Sequence, residues 1–103
     1  KWTGFNLNVD EIHPMFDLYT VNNVSEMDTL ISQIGVPSWN FVFADNKGDV
    51  GYRLLGKVNK HEEKIPFGIQ TQTISELVQE SYLSSDEKPH VLKPKRQYVY
   101  SAN

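Results

Sequence analysis

The chain has 103 residues, 39% of them hydrophobic and 22% charged, which is typical of one ordinary folded domain. Its net charge of −3 lacks the positive excess that binds nucleic acid or an anionic membrane, and no apolar run reaches the roughly 18 residues of a membrane span. The absence of cysteine excludes disulfides, cysteine-ligated zinc and thiol catalysis. We expect one domain, residues 1–103, that contacts neither nucleic acid nor membrane.

The first part of the chain predicts a short strand and a helix. Residues 2–5 favour the strand, and the stretch DEIHPMFDLYTVNN then places four apolar residues at helical spacing. These residues are Ile12, Met15, Phe16 and Tyr19. Pro14 suits the first turn of this helix, where its missing N–H costs nothing. Asn22 and Asn23 mark the predicted end of the helix.

A second helix has clearer start and stop signals. Ser25 is a candidate N-cap, and Asp28 three residues later makes a carboxylate variant of the capping box. One apolar face follows at helical spacing, formed by Met27, Leu30, Ile31 and Ile34. Gly35 predicts a left-handed end to this helix, and Pro37 prevents its continuation.

The stretch NFVFADNKGDVGY predicts a β-hairpin. Residues 40–44 are aromatic and β-branched, and residues 49–55 can pair back on them. The link ADNKGD fits a type I turn that closes with Gly48 in the left-handed region.

The remaining residues predict a loop, a helix, a connection and a strand. Residues 57–68 read as a charged surface loop, and TISELVQESYL (73–83) as a helix. Residues 84–96 read as a polar connection interrupted by proline. QYVYSAN (97–103) has the β-formers of a closing strand. The predicted class is α+β, with two N-terminal helices, a hairpin, a further helix and a closing strand.

The residues alone do not assemble a complete active site. None of the histidines has a second ligand at metal-binding spacing; they are His13, His61 and His90. Asp45 and Asp49 lack the ligand alternation of a calcium loop, so turn chemistry is favoured and no metal is expected here. Ser25 is interpreted as a helix cap, and Trp2 and Trp39 as packing aromatics. The usual hydrolase, zinc-protease and phosphate-loop motifs are missing.

Three stretches together resemble the penicillin acylase family. PSWNFVFADNKGDVGYRLLGKV is similar to the family segment P-x-x-N-x-x-Y-A-D-x-x-G-N-I-G-Y-x-x-x-G-x-x-P. PHVLKPKRQYVYSAN resembles P-x-x-x-N-P-x-x-G-Y-I-x-x-A-N, and KWTGF resembles the family's W-T segment. The matched positions are Pro37, Asn40, Ala44, Asp45, Gly48, Gly51, Tyr52, Gly56, Pro89, Pro94, Tyr98, Ala102 and Asn103.

Four departures from the family pattern accompany this likeness. Asp49 replaces the usual Asn after Gly48, and NKHEEK stands where a P-x-R turn is usual. Lys93 and Gln97 replace the Asn and Gly of the closing motif. These departures leave open the alignment of residues 57–87 and any role of theirs in substrate entry.

The resemblance implies an N-terminal nucleophile hydrolase with a four-layer αββα fold. Members of this family cleave themselves into two chains, generally after export from the cytoplasm. A serine that begins the second chain attacks an amide carbonyl, and its own α-amine is the base. The acyl group passes to the enzyme and then to water. The implied substrates are penicillins, cephalosporins and acyl-homoserine lactones.

For this chain, the resemblance implies an internal segment of the catalytic subunit that is inactive alone, because nothing near Lys1 matches the S-N-x-W start of that subunit. Asn103 aligns with the asparagine that donates to the tetrahedral oxyanion, and Trp2 with an acyl-pocket tryptophan of some members. Asp45 and Gly48 are expected to shape the hairpin turn, with Asn40 supporting its backbone. Gly51 is a further structural position.

The same resemblance implies the partners and the compartment. The remainder of the acylase heterodimer and a small-molecule amide substrate are the expected partners, in the periplasm or outside the cell. No cofactor is expected. Calcium, which some members bind, has no assigned position here because its side-chain ligands would lie elsewhere. The exposed strand edges of an isolated segment favour dimerisation.

Two alternatives remain open at this stage. The chain could be a small autonomous module whose aromatic residues bind a peptide or another ligand, or a degenerate acylase homologue without activity. A serine that begins a chain upstream of this sequence would favour the acylase.

Overall fold

The computed structural model describes residues 8–60 and 81–102. Within these ranges lie two 3-10 helices, one α-helix and three strands, and they form a small α+β unit. The 3-10 helices are Val9–Glu11 and His13–Tyr19, the α-helix α1 is Val24–Ile31, and the strands are β1 (Asn40–Ala44), β2 (Val50–Leu54) and β3 (His90–Leu92). None of the helices described is long and apolar enough to cross a membrane.

The first predicted helix is a 3-10 helix, and this changes which side chains it buries. Phe16 and Tyr19 were expected on its apolar face but are 73% and 96% exposed, so that prediction is wrong. A 3-10 helix has three residues per turn, which aligns Met15 with Leu18 instead. Those two residues pack against the core, and Pro14 is buried in the first turn.

Helix α1 begins two residues earlier than its sequence predicts. Its N-cap is Asn23, whose Oδ1 accepts hydrogen bonds from the backbone N–H groups of Ser25 and Glu26, both at 3.0 Å. Ser25 is therefore inside the first turn, and the predicted capping box with Asp28 is wrong. Asparagine caps as well as serine, and the earlier start buries Val24.

The end of α1 also differs from the prediction. Gly35 does not have a positive φ; among the glycines described, that conformation belongs to Gly48 and Gly56. Instead, Gly35 makes a close contact with the first 3-10 helix. Its N–H donates to the Glu11 carbonyl at 3.0 Å, and a Cβ at this position would lie 2.8 Å from the Glu11 Cβ.

The predicted hairpin is confirmed, and its sheet gains a third strand. β1 pairs antiparallel with β2, with Val42 opposite Tyr52, and β2 pairs antiparallel with β3, with Tyr52 opposite Val91. The strand order is β1-β2-β3.

The predicted closing strand is wrong, because the described residues 97–102 contain no strand. The third strand lies in the stretch that the sequence assigned to a connection. Pro89 and Pro94 flank β3 without interrupting it. The Pro89 carbonyl still accepts from the Leu54 N–H at 2.9 Å, and the Lys93 N–H donates to the Val50 carbonyl at 2.9 Å.

The further predicted helix lies mostly outside the described residues. Its last part, residues 81–83, is extended, with Tyr82 bridged to Asn59. The predicted strand at 2–5 and most of the predicted loop at 57–68 also lie outside.

The two faces of the sheet have different surroundings. On the face that we call the helix face, α1 packs on the side chains of β1–β3, and the buried cluster is Val24, Ile31, Ile34, Phe43 and Leu55. On the opposite face, the open face, lie Asn40, Val42, Tyr52 and Val91, and Val42 is 48% exposed. No helix in the described part of the chain covers the open face.

Candidate functional site

The hairpin turn is organised by the Asp45 carboxylate. Its Oδ1 accepts from the N–H groups of Lys47 at 2.9 Å and Asp49 at 3.1 Å, and its Oδ2 accepts from the Val24 N–H at 3.4 Å. Burial alone would raise the pKa of Asp45, but these backbone donors outweigh it and lower the pKa. Gly48 completes the turn at φ 86°. Asp45 thus joins the turn to the start of α1.

Asn40 and Gly51, the other two expected structural positions, lie away from the turn. Asn40 is at the end of the hairpin farthest from the turn, where its Oδ1 accepts a hydrogen bond of 2.7 Å from the Tyr52 hydroxyl. It does not support the turn backbone. Gly51 lies on the helix face, where a Cβ would be 2.4 Å from the Phe43 ring. Gly51 therefore leaves space for a core aromatic ring.

A cavity of about 400 Å³ lies between the open face of the sheet and the C-terminal segment, residues 96–102. The sheet contributes polar and apolar side chains, and the segment contributes a cation and aromatic and small residues. The lining residues are Asn40, Tyr52, Val91, Arg96, Val99, Tyr100, Ser101 and Ala102. Its volume is within the range of small-molecule sites, and its lining is more polar than apolar.

Arg96 is the cationic group of this cavity. Its Nε donates to the Tyr98 carbonyl at 3.0 Å, and its guanidinium carbon lies 5.1 Å from the centre of the Tyr98 ring. The hydrogen bond and the cation–π contact fix the plane of the guanidinium. No carboxylate in the described part of the chain pairs with it.

The turn before the C-terminal segment has an unusual backbone. Lys93 and Gln97 have φ values of 48° and 57°, a left-handed conformation that side chains other than Gly, Asn and Asp rarely adopt. The Gln97 N–H donates to the Pro94 carbonyl at 2.9 Å, and the Lys93 ammonium pairs with Asp49 at 2.8 Å. The hydrogen bond to Asp49, and then the charge of Asp49, raise the pKa of Lys93. Burial has the opposite but smaller effect.

Two buried cations connect the elements around β2. Arg53, 4% exposed, makes a two-pronged ion pair with Asp28 on α1 at 2.7 and 2.8 Å, and it donates to the carbonyl and hydroxyl of Ser85. Lys88, 6% exposed, donates to the Gly56 carbonyl at 3.0 Å. Burial, and then the charge of Arg53, lower the pKa of Lys88. These groups hold the fold together and do not reach the cavity.

The described histidines do not form a metal site. His13 lies 3.7 Å from Asp17, and the His90 Nδ1 lies 2.8 Å from the Lys88 carbonyl. The described residues contain no group of three possible metal ligands. His61 lies outside the residues described.

The two catalytic-site predictions fall outside the described residues. These are Asn103, the predicted oxyanion donor, and Trp2, the predicted acyl-pocket residue. Ala102, which precedes Asn103 in the chain, is exposed and lines the cavity. The sequence reading missed Arg96 and Val91 as cavity residues because they lie in the stretch read as a connection. No short motif marks either residue.

A comparison with models of protein families identifies the class of enzyme to which this chain is related. A family model described as penicillin amidase, a class of amide hydrolase, matches residues 1–103, which is the whole chain. The chain therefore belongs to the penicillin amidase family. This confirms the family that the hairpin and the closing motif indicated.

Proposed function

We propose that this chain is an internal segment of the catalytic subunit of an amide hydrolase. The observation that carries this proposal is the family match over all 103 residues. In the complete protein, an N-terminal serine outside this segment attacks the amide carbonyl, and its α-amine takes the proton. The C–N bond then breaks, the amine leaves with that proton, and the acyl group remains as an ester on the serine oxygen. Water hydrolyses this ester, which releases the carboxylic acid and the free serine. The 103 residues contribute scaffold and a donor side chain, and they are inactive alone.

The proposed contribution of this segment to the chemistry is the Asn103 carboxamide. A tetrahedral intermediate places negative charge on the former carbonyl oxygen, and an amide N–H stabilises that charge. Loss of one such donor typically raises the barrier by about 3 to 4 kcal/mol. Trp2 is proposed to line the pocket that holds the acyl group.

The finer fold, the location and the partners belong to the same proposal. The α+β unit would be part of an αββα four-layer fold of the N-terminal nucleophile type, exported to the periplasm or outside the cell. The remainder of the heterodimer would be its partner, and no cofactor is needed for the proposed steps. Calcium, if bound by the complete enzyme, would use ligands outside this chain.

Self-association is proposed for the isolated segment alone. The outer edge of β1 has no paired strand among the described residues. An unpaired edge can add a strand from a second copy. Light scattering of the isolated chain should therefore give a mass above that of a monomer, and a strict monomer would contradict this part.

The test compares two variants of the complete protein in an amide-hydrolysis assay. Asn103→Ala should lower kcat about 100- to 1000-fold with little change in KM. Asn46→Ala, which removes an exposed asparagine of the hairpin turn, is the matched control and should leave kcat unchanged. An unchanged kcat in Asn103→Ala would exclude the oxyanion role.

The same assay separates the alternatives. Complete protein that has an N-terminal serine but hydrolyses no amide would be a degenerate homologue. A natural protein that lacks any such serine would support the autonomous binding module.

A further inference from the structure

The turn at residues 93–97, which we call the closing turn, has a left-handed residue where the family pattern has glycine. Gln97 takes a φ of 57°, a conformation that glycine adopts freely and other residues adopt at a cost. The family motif P-x-x-x-N-P-x-x-G-Y-I-x-x-A-N has its glycine at this position. Because this chain has no glycine there, other contacts have to hold the backbone in its left-handed conformation.

Arg96 and Tyr98 supply such contacts on the two sides of Gln97. The Arg96 Nε donates to the Tyr98 carbonyl at 3.0 Å, and the guanidinium carbon lies 5.1 Å from the centre of the Tyr98 ring. The Gln97 N–H donates to the Pro94 carbonyl at 2.9 Å. We call the hydrogen bond and the cation–π contact between Arg96 and Tyr98 the arginine clamp. Since the clamp joins the residues before and after Gln97, it limits rotation of the backbone at Gln97.

The segment that follows the clamp, residues 98–102, has few other contacts that fix its course. None of its N–H groups donates to a backbone carbonyl of the described residues, and it forms no strand. Tyr98 and Tyr100 are 56% and 73% exposed, and Val99 is half-buried. The direction of this segment therefore depends strongly on the geometry with which it leaves the closing turn.

We propose that Arg96 is a positioning residue for amide hydrolysis. The arginine clamp fixes the direction of residues 98–102, and this segment leads to Asn103, the proposed oxyanion donor. Such a donor stabilises the transition state fully only when it is oriented before the charge develops. The inference rests on the proposed function, because Arg96 acts through Asn103 and takes no part in the chemistry itself.

The test measures kcat and KM for amide hydrolysis by the complete protein. Arg96→Met removes the donor and the charge but keeps an unbranched side chain. We expect kcat to fall about tenfold, the effect of one hydrogen bond and one exposed cation–π contact, with KM within about twofold of the wild type. Arg96→Lys keeps the charge but loses the planar fork, so its kcat should be intermediate. Lys95→Met is the matched control with unchanged kcat, because Lys95 is an exposed neighbouring cation outside the cavity lining.

Glycine at position 97 should make the arginine clamp unnecessary. Gln97→Gly alone should leave kcat within about twofold of the wild type, because glycine takes the left-handed conformation without cost. The double variant Arg96→Met with Gln97→Gly should recover kcat to within about twofold of the wild type for the same reason. A general packing role of Arg96 does not predict this rescue.

Deuterium uptake of the peptide that covers residues 93–102, followed by mass spectrometry, reports on the turn itself. Arg96→Met should raise its exchange rate about tenfold, and Gln97→Gly should reverse the increase. Circular dichroism shows whether each variant folds. If Arg96→Met does not fold, Tyr98→Leu tests the same clamp, because it removes the ring but keeps the carbonyl. Its kcat should fall about threefold.

Asn103→Ala in the same assay separates the two proposals. If Asn103→Ala lowers kcat but Arg96→Met does not, the positioning role of Arg96 alone is wrong. A loss in Arg96→Met that Gln97→Gly does not restore, or an equal loss in Lys95→Met, would also overturn it. If Asn103→Ala leaves kcat unchanged, the proposed donor role is wrong, and the positioning role is wrong with it.

Discussion

The hairpin region (residues 40–56) and the closing turn (residues 93–97) both contain residues with left-handed backbone, but the residue types differ. In the hairpin region, Gly48 and Gly56 take φ values of 86° and 89°. In the closing turn, Lys93 and Gln97 take φ values of 48° and 57°. Glycine adopts this conformation without cost, whereas other residues lose about 1 to 2 kcal/mol. The hairpin is thus favoured locally, and the closing turn is held by contacts with the sheet.

Two residues that hold the closing turn in place are departures from the family pattern. Asp49 stands where the family pattern has Asn, Lys93 also stands where it has Asn, and their side chains pair at 2.8 Å. Gln97 stands where the pattern has Gly. The turn places Arg96 at the cavity, so the backbone of the turn and the lining of the cavity are linked.

The largest expected effect comes from breaking the ion pair that joins β2 of the hairpin to α1. Arg53 on β2 pairs with Asp28 and donates to Ser85, which precedes β3. Asp28→Ala leaves a buried guanidinium without its counter-charge, which should lower the free energy of unfolding by about 3 to 5 kcal/mol. Urea unfolding of the 103-residue chain measures this change.

Ser85→Ala is the control for that variant. It removes one hydroxyl partner of Arg53 but leaves the Ser85 carbonyl and the Asp28 pair in place. The expected loss is about 1 kcal/mol. Equal losses in the two variants would show that the ion pair does not dominate.

The next effect separates backbone strain from steric contact within the hairpin region. A Cβ at Gly56 would lie 2.5 Å from the Ser38 Cα, whereas a Cβ at Gly48 would have nothing within 4 Å. Gly48→Ala should therefore cost about 1 to 2 kcal/mol from φ alone, and Gly56→Ala about 3 kcal/mol or more. Thermal unfolding of both variants measures the difference, and equal melting temperatures would contradict the described packing.

A smaller effect, of opposite sign, is expected at the closing turn. Gln97→Gly relieves the left-handed strain and should stabilise the chain by about 0.5 to 1 kcal/mol. Gln97→Ala keeps the strain and is the matched control, with no gain expected. Chemical denaturation compares the two, and stabilisation by alanine equal to that by glycine would exclude the strain.

The smallest effect is a pH dependence at Glu87. The hydrogen bond from Lys60, then those from Ser84, lower the pKa of Glu87 from 4.5 to about 2. Its contribution to stability is therefore present above pH 4.5 and is lost as the pH falls from 4.5 to about 2. Solvent screens this exposed pair, so the change is small. Glu87→Gln should flatten the stability curve in this window, and an unchanged slope would contradict the shift.

Local sequence patterns predicted the elements that residues close in the sequence stabilise. The hairpin followed from its alternation and turn residues, and α1 from its apolar period. The predicted start of α1 was wrong because Asn23 and Ser25 are both good N-cap residues. The burial of Val24, which the sequence does not show, favours the start at Asn23. The 3-10 geometry of His13–Tyr19 moved Phe16 and Tyr19 to the surface, which no α-helical period could indicate.

Features that depend on distant contacts were not predictable from these patterns. β3 is a three-residue strand that exists by pairing with β2, and the Tyr98–Tyr100 stretch has β-formers but no strand to pair with among the described residues. The cavity forms where that stretch meets the open face. Arg96 therefore became a candidate site residue only through the fold.

The measurement that tests the central claim most directly is the location of the acyl-enzyme bond in the complete protein. After rapid quenching with an ester or amide substrate, peptide mass spectrometry locates the acyl group. The proposed function predicts an acyl adduct on an N-terminal serine outside these 103 residues. An adduct on a side chain within this chain, such as Ser25, would contradict the claim that the segment provides scaffold and donor but not the nucleophile.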